Sequence, residues 1–235
     1  MKKILLLALI LVLLAFPIVA SPGPNTYSMD FESASLQYTY AADSTDLSII
    51  GDFSIEAWIK IESVDTLYPN IVHKGDMAVQ DDYLFIVHST IVAGQNRLLC
   101  NYFDAAILST SAHGSTNLAL NTWYHVAVTV DVSTQTVIFY VNGVAETTTY
   151  LSQSAASIND STNPLSIGRA KNGVDSERYW DGLLDDVRVY NDIRSAAEIL
   201  ANYQTQQSGS DANMMAYYML NKKDPKSYPK LPWFK

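Results

Sequence analysis

The sequence predicts an all-β fold, an antiparallel two-sheet jelly-roll sandwich with one short C-terminal helix. Three observations predict it: strict alternation of apolar residues, turn residues between many short β-branched or aromatic runs, and a helical period confined to one late segment. The chain has 235 residues and one cysteine, Cys100, so no internal disulfide can form. Apolar burial must therefore stabilise the fold, and we expect Cys100 to be a small buried strand residue.

The clearest strand spans residues 52–61, where one face is apolar and the other is amphipathic. The apolar face carries Phe53, Ile55, Ala57, Ile59 and Ile61, and the other carries Ser54, Glu56, Trp58 and Lys60. Further strand-forming runs lie at residues 70–73, 83–87, 98–103, 123–130, 136–141, 164–167 and 179–190. Asn142-Gly143 predicts a type I′ hairpin turn, because both central positions of that turn need positive φ.

A single helix is predicted after residue 195. Ser195 and Glu198 have the spacing of a capping box, and Ile199, Leu200 and Tyr203 supply an apolar stripe over about two turns. We expect this helix to cover an open end or edge of the sandwich.

The two ends of the chain differ in composition from its middle. Residues 1–20 begin with Lys2 and Lys3 and continue as an apolar run, which is typical of a secretory signal peptide. The run also reaches the lower length limit for a bilayer span, so the alternative is an uncleaved N-terminal anchor. We assign residues 21–26 to a linker, 27–205 to the domain, and 206–235 to a C-terminal tail or the stub of a further repeat. The protein is expected to be secreted and extracellular, or associated with the cell envelope.

The charge of the chain excludes one class of partner. Fifteen basic and 24 acidic residues give a formal net charge of −9. An acidic surface repels phosphate backbones and anionic lipid, so we expect no nucleic-acid partner. Membrane contact is expected only through an uncleaved N-terminal segment.

Eight blocks in order resemble the laminin-G-like, concanavalin A-like jelly-roll family. They cover residues 27–205 in family order and read MDFESASLQY (29–38), GDFSIEAWIK (51–60), IVHKG (71–75), WYHVAV (123–128), FYVNG (139–143), PLSIG (164–168), GLLDDVRVY (182–190) and SAAEI (195–199). The resemblance implies two curved antiparallel sheets packed face to face, in agreement with the strand pattern.

Catalysis is not expected. Jelly-roll enzymes that cleave β-glucans carry two glutamates and an aspartate alternating along one strand, whereas Glu56 and Glu62 here are six residues apart. Asp185 and Asp186 are adjacent and would point to opposite faces of a strand. We therefore predict a secreted, non-catalytic module that recognises extracellular or cell-surface carbohydrate. The alternatives are an envelope-anchored protein-interaction or adhesion module and, third, a divergent glycoside hydrolase.

The resemblance also implies a structural calcium site. Its ligands would be Asp185 and Glu32, with Asp43 and Asp46 as further carboxylates in a nearby loop. The family carries Asp-Gly where this chain has Glu32-Ser33, which changes both the reach of the side chain and the loop shape. The alternative is that Asp185 caps backbone amides or pairs with Arg188.

Ligand-binding residues are expected on loops, where a rigid scaffold presents them. Sugar sites combine an aromatic ring with planar polar groups, and two predicted loops have that composition. The candidate ligand-binding residues are His73, Lys74, Asp76, Asp82 and Tyr83 in the first cluster, and Asn172, Arg178, Tyr179 and Trp180 in the second. We expect Trp58 and Trp123 to be packing residues.

Overall fold

A computed structural model of the chain describes residues 28–64, 68–77, 80–170, 178–205 and 210–220. Strands numbered in chain order form two antiparallel sheets. The first sheet has the order β1 (Met29–Phe31), β15 (Gly182–Tyr190), β3 (Phe53–Ile61), β8 (Trp123–Asp131), β9 (Thr136–Val141) and β10 (Val144–Ala145), and β16 (Met214–Tyr218) also pairs with β15.

The second sheet lies against the first. Its order is β11 (Thr149–Gln153), β7 (Ser109–His113), β6 (Gln95–Phe103), β5 (Gln80–Val92), β4 (Asn70–Asp76), β12 (Leu165–Ile167) and β2 (Thr39–Ala41). A two-stranded ribbon, β13 (Arg169–Ala170) and β14 (Arg178–Tyr179), extends from β12, and short 3-10 turns occupy Ser33–Ser35 and Thr45–Leu47. The predicted antiparallel sandwich is confirmed.

The core lies between the inner faces of the two sheets. All five apolar side chains of β3 are fully buried there, as its alternation predicts. Phe85 of the second sheet and Phe139 of the first stack across the interface with ring centroids 6.4 Å apart. Cys100 is buried among them, and burial raises the pKa of its thiol well above its usual value.

The β9–β10 hairpin turns at the predicted residues. Asn142 and Gly143 have φ values of 51° and 77°, and Val141 pairs with Val144 across the turn. These angles are those of the type I′ turn, so the local sequence alone specified this connection.

The helix α1 (Ala196–Gln204) begins at the predicted capping box. The backbone N–H of Ser195 donates to Glu198 Oε2 at 2.8 Å, and the N–H of Glu198 donates to Ser195 Oγ at 3.3 Å. The helix reaches the edge strand β10, but it is not confined to an open end or edge of the sandwich. Its Ile199 packs on Ala127 and Tyr140, so α1 covers the outer face of the first sheet over β8 and β9.

Removing the cap should weaken the attachment of α1. We expect Ser195→Ala to lower the free energy of unfolding by about 1 kcal/mol, measured by urea denaturation. Hydrogen bonds from the Ser195 hydroxyl and amide, and from Arg194, lower the pKa of Glu198 from its usual 4.5 to about 2. A depressed carboxyl pKa stabilises the fold above the unfolded-state value and loses that effect as the pH falls.

The difference in stability between the wild type and Glu198→Gln should therefore shrink as the pH falls from about 5 to about 2. Glu198 is exposed, so the change with pH will be small. A difference that grows towards low pH would contradict this assignment.

The packed unit continues beyond the predicted boundary at residue 205. Strand β16 pairs with Val187–Tyr190 of β15, and its Ala216 and Tyr218 are part of the buried core. The first part of the predicted tail therefore belongs to the same sandwich. The predicted signal or anchor (1–20), the linker (21–26) and residues 221–235 lie outside the described residues. Within the described part of the chain, no helix has the length and apolar character needed to cross a bilayer.

Candidate functional site

The outer face of the first sheet holds a buried charged cluster that is closed by α1 and β16. Arg188 Nη2 donates to Asp186 Oδ2 at 2.7 Å, and Arg188 Nη1 lies 3.5 Å from Glu56 Oε2. Asn202 of the helix donates to Glu56 Oε1 at 2.9 Å, and the Tyr217 hydroxyl donates to Asp186 Oδ1 at 2.6 Å. Burial alone would lower the pKa of Arg188, but Asp186 and Glu56 raise it above its usual value. The carboxylates of Glu56 and Asp186 are thereby paired, whereas Arg188 Nε has no hydrogen-bond partner among the described residues.

An aromatic group borders this cluster. Trp58 lies 5.5 Å from Tyr203 of the helix and 5.5 Å from His125, centroid to centroid. His125 Nε2 is 3.3 Å from Glu56 Oε2, but the geometry is not that of a hydrogen bond. The rings of Trp58 and Tyr203 are half-buried against each other, so they serve to attach the helix to the sheet.

The outer face of the second sheet carries a different set of side chains. Along β5, Tyr83, Phe85 and Val87 point into the core, so the alternate residues point outwards. Leu84 and Ile86 are therefore on the outer face, although each is only 2–3 % exposed. Together with Leu99 they form a small second apolar cluster that is separate from the main core.

The pairing of β5 with β4 and with β6 brings residues of all three strands together on this outer face. Leu84 is opposite Asn101, Ile86 is opposite Leu99, and Ile86 also pairs with Asn70 on the other side. Directly opposite residues of antiparallel strands have Cβ atoms about 5 Å apart, so these side chains form one surface. We call it the polar–aromatic face and define it as Tyr68, Asn70, Leu84, Ile86, His88, Leu99, Asn101, Phe103 and Arg178.

Tyr68 is the central ring of the polar–aromatic face. The Arg178 guanidinium carbon lies 4.0 Å from the centroid of the Tyr68 ring, and the His88 ring meets Tyr68 edge-on with centroids 4.4 Å apart. All three side chains are half-buried. The ring thus contacts one cationic and one potentially cationic group, Arg178 and His88.

Two amide oxygens on this face lack hydrogen bonds. Asn70 Nδ2 donates to the Tyr68 carbonyl at 2.7 Å, but Asn70 Oδ1 is buried without a partner among the described residues. Asn101 Oδ1 is also buried and has no hydrogen-bond partner among the described residues. A buried carbonyl oxygen left without a donor costs about 1–3 kcal/mol. Both atoms are unsatisfied acceptors that are enclosed by the fold, and a ligand hydroxyl would reach them only if the side chains around them move.

The electrostatics of the polar–aromatic face are positive around His88. Burial lowers the pKa of His88 below its usual value, and the charge of Arg178 and the neighbouring His113 lower it further. His88 Nδ1 accepts a hydrogen bond from the Ile91 N–H at 3.0 Å, which leaves the proton of the neutral ring on Nε2. Neutral His88 is thus held in one tautomer.

The predicted first ligand cluster does not lie on a loop. His73, Lys74 and Asp76 belong to β4, and Asp82 and Tyr83 belong to β5. Tyr83 packs in the core with its ring centroid 5.1 Å from that of Phe53, and His73 is fully buried with its Nε2 2.8 Å from Asp81 Oδ1. The predicted loop placement of these residues is wrong, because pairing with β12 continues β4 through the polar segment.

Lys74 is enclosed by oxygen atoms. Its ammonium donates to Asp43 Oδ1 and to the carbonyl oxygens of Ser161 and Asn163, each at 2.8 Å, and lies 3.5 Å from Asp82 Oδ2. Only 1 % of the Lys74 side chain is exposed. Two carboxylates and two carbonyls are an oxygen shell of the kind that binds a cation, and here the lysine ammonium occupies it.

The predicted calcium ligands are not brought together. Phe31 pairs with Gly182, so Glu32 lies beside Asp181, and the Ser33 N–H donates to Asp181 Oδ1 at 3.1 Å. Asp185 lies three residues farther along β15, where it accepts from the Asp186 N–H at 2.8 Å, as the capping alternative predicted. Asp43 is engaged by Lys74, and Asp46 is exposed in a 3-10 turn. Within the described ranges no group of three or more His, Cys, Asp or Glu residues could hold a metal ion. These four carboxylates do not form one cluster among the described residues, and calcium binding stays a prediction.

The second predicted cluster is divided by the fold. Arg178 reaches the polar–aromatic face, while Tyr179 is buried with its ring centroid 6.3 Å from Tyr38. Trp180 is fully buried in the main core, and Asn172 lies outside the described residues. The sequence pattern predicted ligand-binding residues on loops and therefore did not identify Tyr68, Asn70, His88, Asn101 and Phe103. The alternation of residues 98–103 was the available signal, since it places Asn101 and Phe103 on one face.

A family model described as the concanavalin A-like lectin/glucanases superfamily, of the laminin G type, matches residues 34–200. This chain belongs to that superfamily. The matched segment of this superfamily member includes most of both sheets and every residue of the polar–aromatic face. It leaves out β1 and β16.

Solved structures with the same fold include proteins of several kinds. A candidate carbohydrate binding protein from Bacteroides ovatus has a TM-score of 0.68 and 18 % identity over 87 % of this chain, which spans 54 % of that protein. The CBM40 domain of a Ruminococcus gnavus sialidase, bound to α2,3-sialyllactose, has a TM-score of 0.57 and 11 % identity over 76 % of this chain and 97 % of that domain.

The binding domain of botulinum neurotoxin DC, in complex with rat synaptotagmin II, has a TM-score of 0.52 and 16 % identity over 73 % of this chain and 40 % of that one. No curated protein sequence matches this superfamily member. At these identities the structural likeness shows the fold alone, and the same fold supports sugar-binding and protein-binding domains.

Proposed function

We propose that this chain is a non-catalytic binding module that recognises extracellular or cell-surface carbohydrate through its polar–aromatic face. The observation that carries the proposal is the half-buried Tyr68 ring with the Arg178 guanidinium 4.0 Å from its centroid. On the same face, the enclosed amide oxygens of Asn70 and Asn101 have no partner among the described residues. A sugar presents C–H groups to an aromatic ring and hydroxyl donors to amide oxygens, so one ligand would satisfy both features.

The apolar part of the face fits the same kind of ligand. Leu84, Ile86 and Leu99 form a patch beside Tyr68 and Phe103. Binding sites combine such apolar lining with a few polar groups that set orientation. Arg178 and His88, on either side of Tyr68, supply donors to complement the two amide acceptors.

The absence of catalysis is part of the proposal. Glycoside cleavage by a retaining or inverting mechanism uses two carboxyl groups on either side of the scissile bond. None of the residues that define the polar–aromatic face is a carboxylic acid. Asp81 is a neighbouring carboxylate whose charge acts to raise the pKa of Arg178. Its Oδ1 lies 2.8 Å from His73 Nε2.

Tyr68 should be needed for glycan binding. We expect Tyr68→Ala to weaken binding of any glycan selected by the wild-type full chain on an array by about tenfold or more, because the stacking surface is lost. Isothermal titration calorimetry measures the effect. The matched control is Tyr203→Ala, which removes a half-buried tyrosine from the outer face of the other sheet. If Tyr203→Ala abolishes binding and Tyr68→Ala does not, the site lies on the first sheet, which contradicts the proposal.

Asn101→Leu separates binding from folding. Removing an amide oxygen that lacks a partner should leave the thermal midpoint unchanged or raise it, since a buried unsatisfied group is eliminated. We expect the same variant to bind the selected glycan several-fold more weakly. Unchanged affinity would remove the amide from the proposal, and an array on which no glycan class binds would remove carbohydrate altogether in favour of a protein partner.

A further inference from the structure

Arg178 is a cation without a charge partner among the described residues. Within that part of the chain its guanidinium makes no hydrogen bond or ion pair, and its carbon lies 4.0 Å from the centroid of the Tyr68 ring. The side chain is half-buried, and burial lowers the pKa of Arg178 below its usual value. An arginine in such a position has lost part of its water without gaining an acceptor, which costs free energy unless a ligand supplies one.

Asp81 is the carboxylate among the described residues that influences Arg178, and it is already paired. Asp81 lies close enough to Arg178 to raise its pKa in opposition to burial, but it is beyond ion-pair distance. Its Oδ1 is instead 2.8 Å from His73 Nε2, and both side chains are buried. His88 and His113 add no negative charge, so the field around Arg178 favours an anion.

Resting on the proposed function, we propose that the carbohydrate bound by the polar–aromatic face is acidic, and that Arg178 receives the carboxylate of a sialic acid or uronic acid unit. A planar guanidinium binds a planar carboxylate through two parallel hydrogen bonds. Tyr68 holds the guanidinium plane from behind, so its N–H edge is available to the ligand. The amide oxygens of Asn70 and Asn101 then accept from hydroxyls of the same ligand.

The chemistry predicts a pH dependence. Among the described residues, the titratable groups shown to interact with His88 are Tyr68, Arg178 and His113, with Arg97 opposite it in register, and none of these four is a carboxylic acid. A bound carboxylate would raise the pKa of His88, so binding would be coupled to proton uptake. Affinity for an acidic glycan should therefore increase as the pH falls from about 7.5 to 5.5, and His88→Gln should flatten that dependence.

The test compares each acidic glycan with its own methyl ester. Binding of sialyllactose, of an oligogalacturonide and of the methyl ester of each is measured by calorimetry on the full chain. We expect at least one acid to bind about tenfold more tightly than its ester, with an advantage that declines as salt is added. The two acids distinguish a sialic acid ligand from a uronic acid ligand.

Arg178→Gln should reduce the acid-to-ester ratio to about one. The control is Arg97→Gln, because Arg97 lies on the same face but donates to Gln95 Oε1 at 2.8 and 2.5 Å, and it should keep the ratio. Equal binding of acids and esters by the wild type would overturn the inference while leaving the proposed function intact, provided that Tyr68→Ala abolishes that binding. If no glycan binds, acidic or neutral, both fail.

Discussion

Replacement of Lys74 by methionine should lower the free energy of unfolding by about 3–5 kcal/mol, the usual cost of removing one partner from a buried ion pair. Methionine keeps much of the length of the side chain but supplies no donor. Two carbonyl oxygens and the carboxylates of Asp43 and Asp82 would lose the ammonium that they surround. Most of the loss should come from Asp82, because Asp43 is partly exposed and can be hydrated.

The loss should depend on pH. Burial already raises the pKa of Asp82, against hydrogen bonds from Ser161 and Asn159 and the charge of Lys74. Without Lys74 that pKa rises further, and a raised carboxyl pKa destabilises the fold less as the pH falls and the acid is protonated. Chemical denaturation at about pH 8 and pH 5 measures this, with a smaller deficit expected at pH 5.

Lys60→Met is the matched control for Lys74→Met. Lys60 likewise forms an ion pair, with Glu62 at 2.8 Å, but 24 % of its side chain is exposed. Its loss should cost no more than about 1 kcal/mol. Equal deficits in the two variants would mean that the oxygen shell around Lys74 contributes little.

Arg188→Met should be comparably destabilising, by about 3–5 kcal/mol, because it leaves Glu56 and Asp186 uncompensated beneath α1. Glu56 would keep the amide of Asn202 and Asp186 would keep the hydroxyl of Tyr217. Neither group neutralises a charge. Thermal and urea unfolding measure the loss, and both should remain single transitions if the helix unfolds together with the sheet.

A second variant shows whether the loss comes from unpaired charge. Glu56→Leu combined with Arg188→Met removes one of the two uncompensated carboxylates and leaves Asp186, and we expect it to be more stable than Arg188→Met alone. A double variant less stable than either single one would instead assign the loss to packing, since the Arg188 stem is itself fully buried.

Local patterns in the sequence predicted the parts of this fold that depend on local physics. The apolar face of β3 follows from side-chain alternation, the Asn142-Gly143 turn from backbone conformation, and the cap at Ser195 from hydrogen bonding within four residues. Each depends on neighbouring residues only. The part of the sandwich that α1 covers depends on long-range packing. An open end or edge was expected, and α1 extends from the edge strand β10 across the outer face of the first sheet.

The candidate site could not be predicted from the sequence because its residues come together only through the pairing of distant strands. Asn101 meets Leu84 only through the pairing of β5 with β6, and Arg178 reaches Tyr68 from more than one hundred residues away along the chain. The segment from His73 to Asp76 has the composition of a loop, with glycine, lysine and aspartate, yet partners on both sides hold it as a strand. Tertiary pairing outweighs local propensity there.

Strands β1 and β16 lie end to end along the same side of β15. Met29 is opposite Leu184 and Tyr218 is opposite Val187, so the two strands approach each other within three residues of β15, about 10 Å. The described chain thus enters and leaves the sandwich at one place, on the sheet away from the polar–aromatic face. A short linker joining residues 28 and 220 would make the backbone nearly circular. New termini could then be opened at the Asn142-Gly143 turn, and a host protein could carry the module as a loop insertion with its ligand face turned outwards.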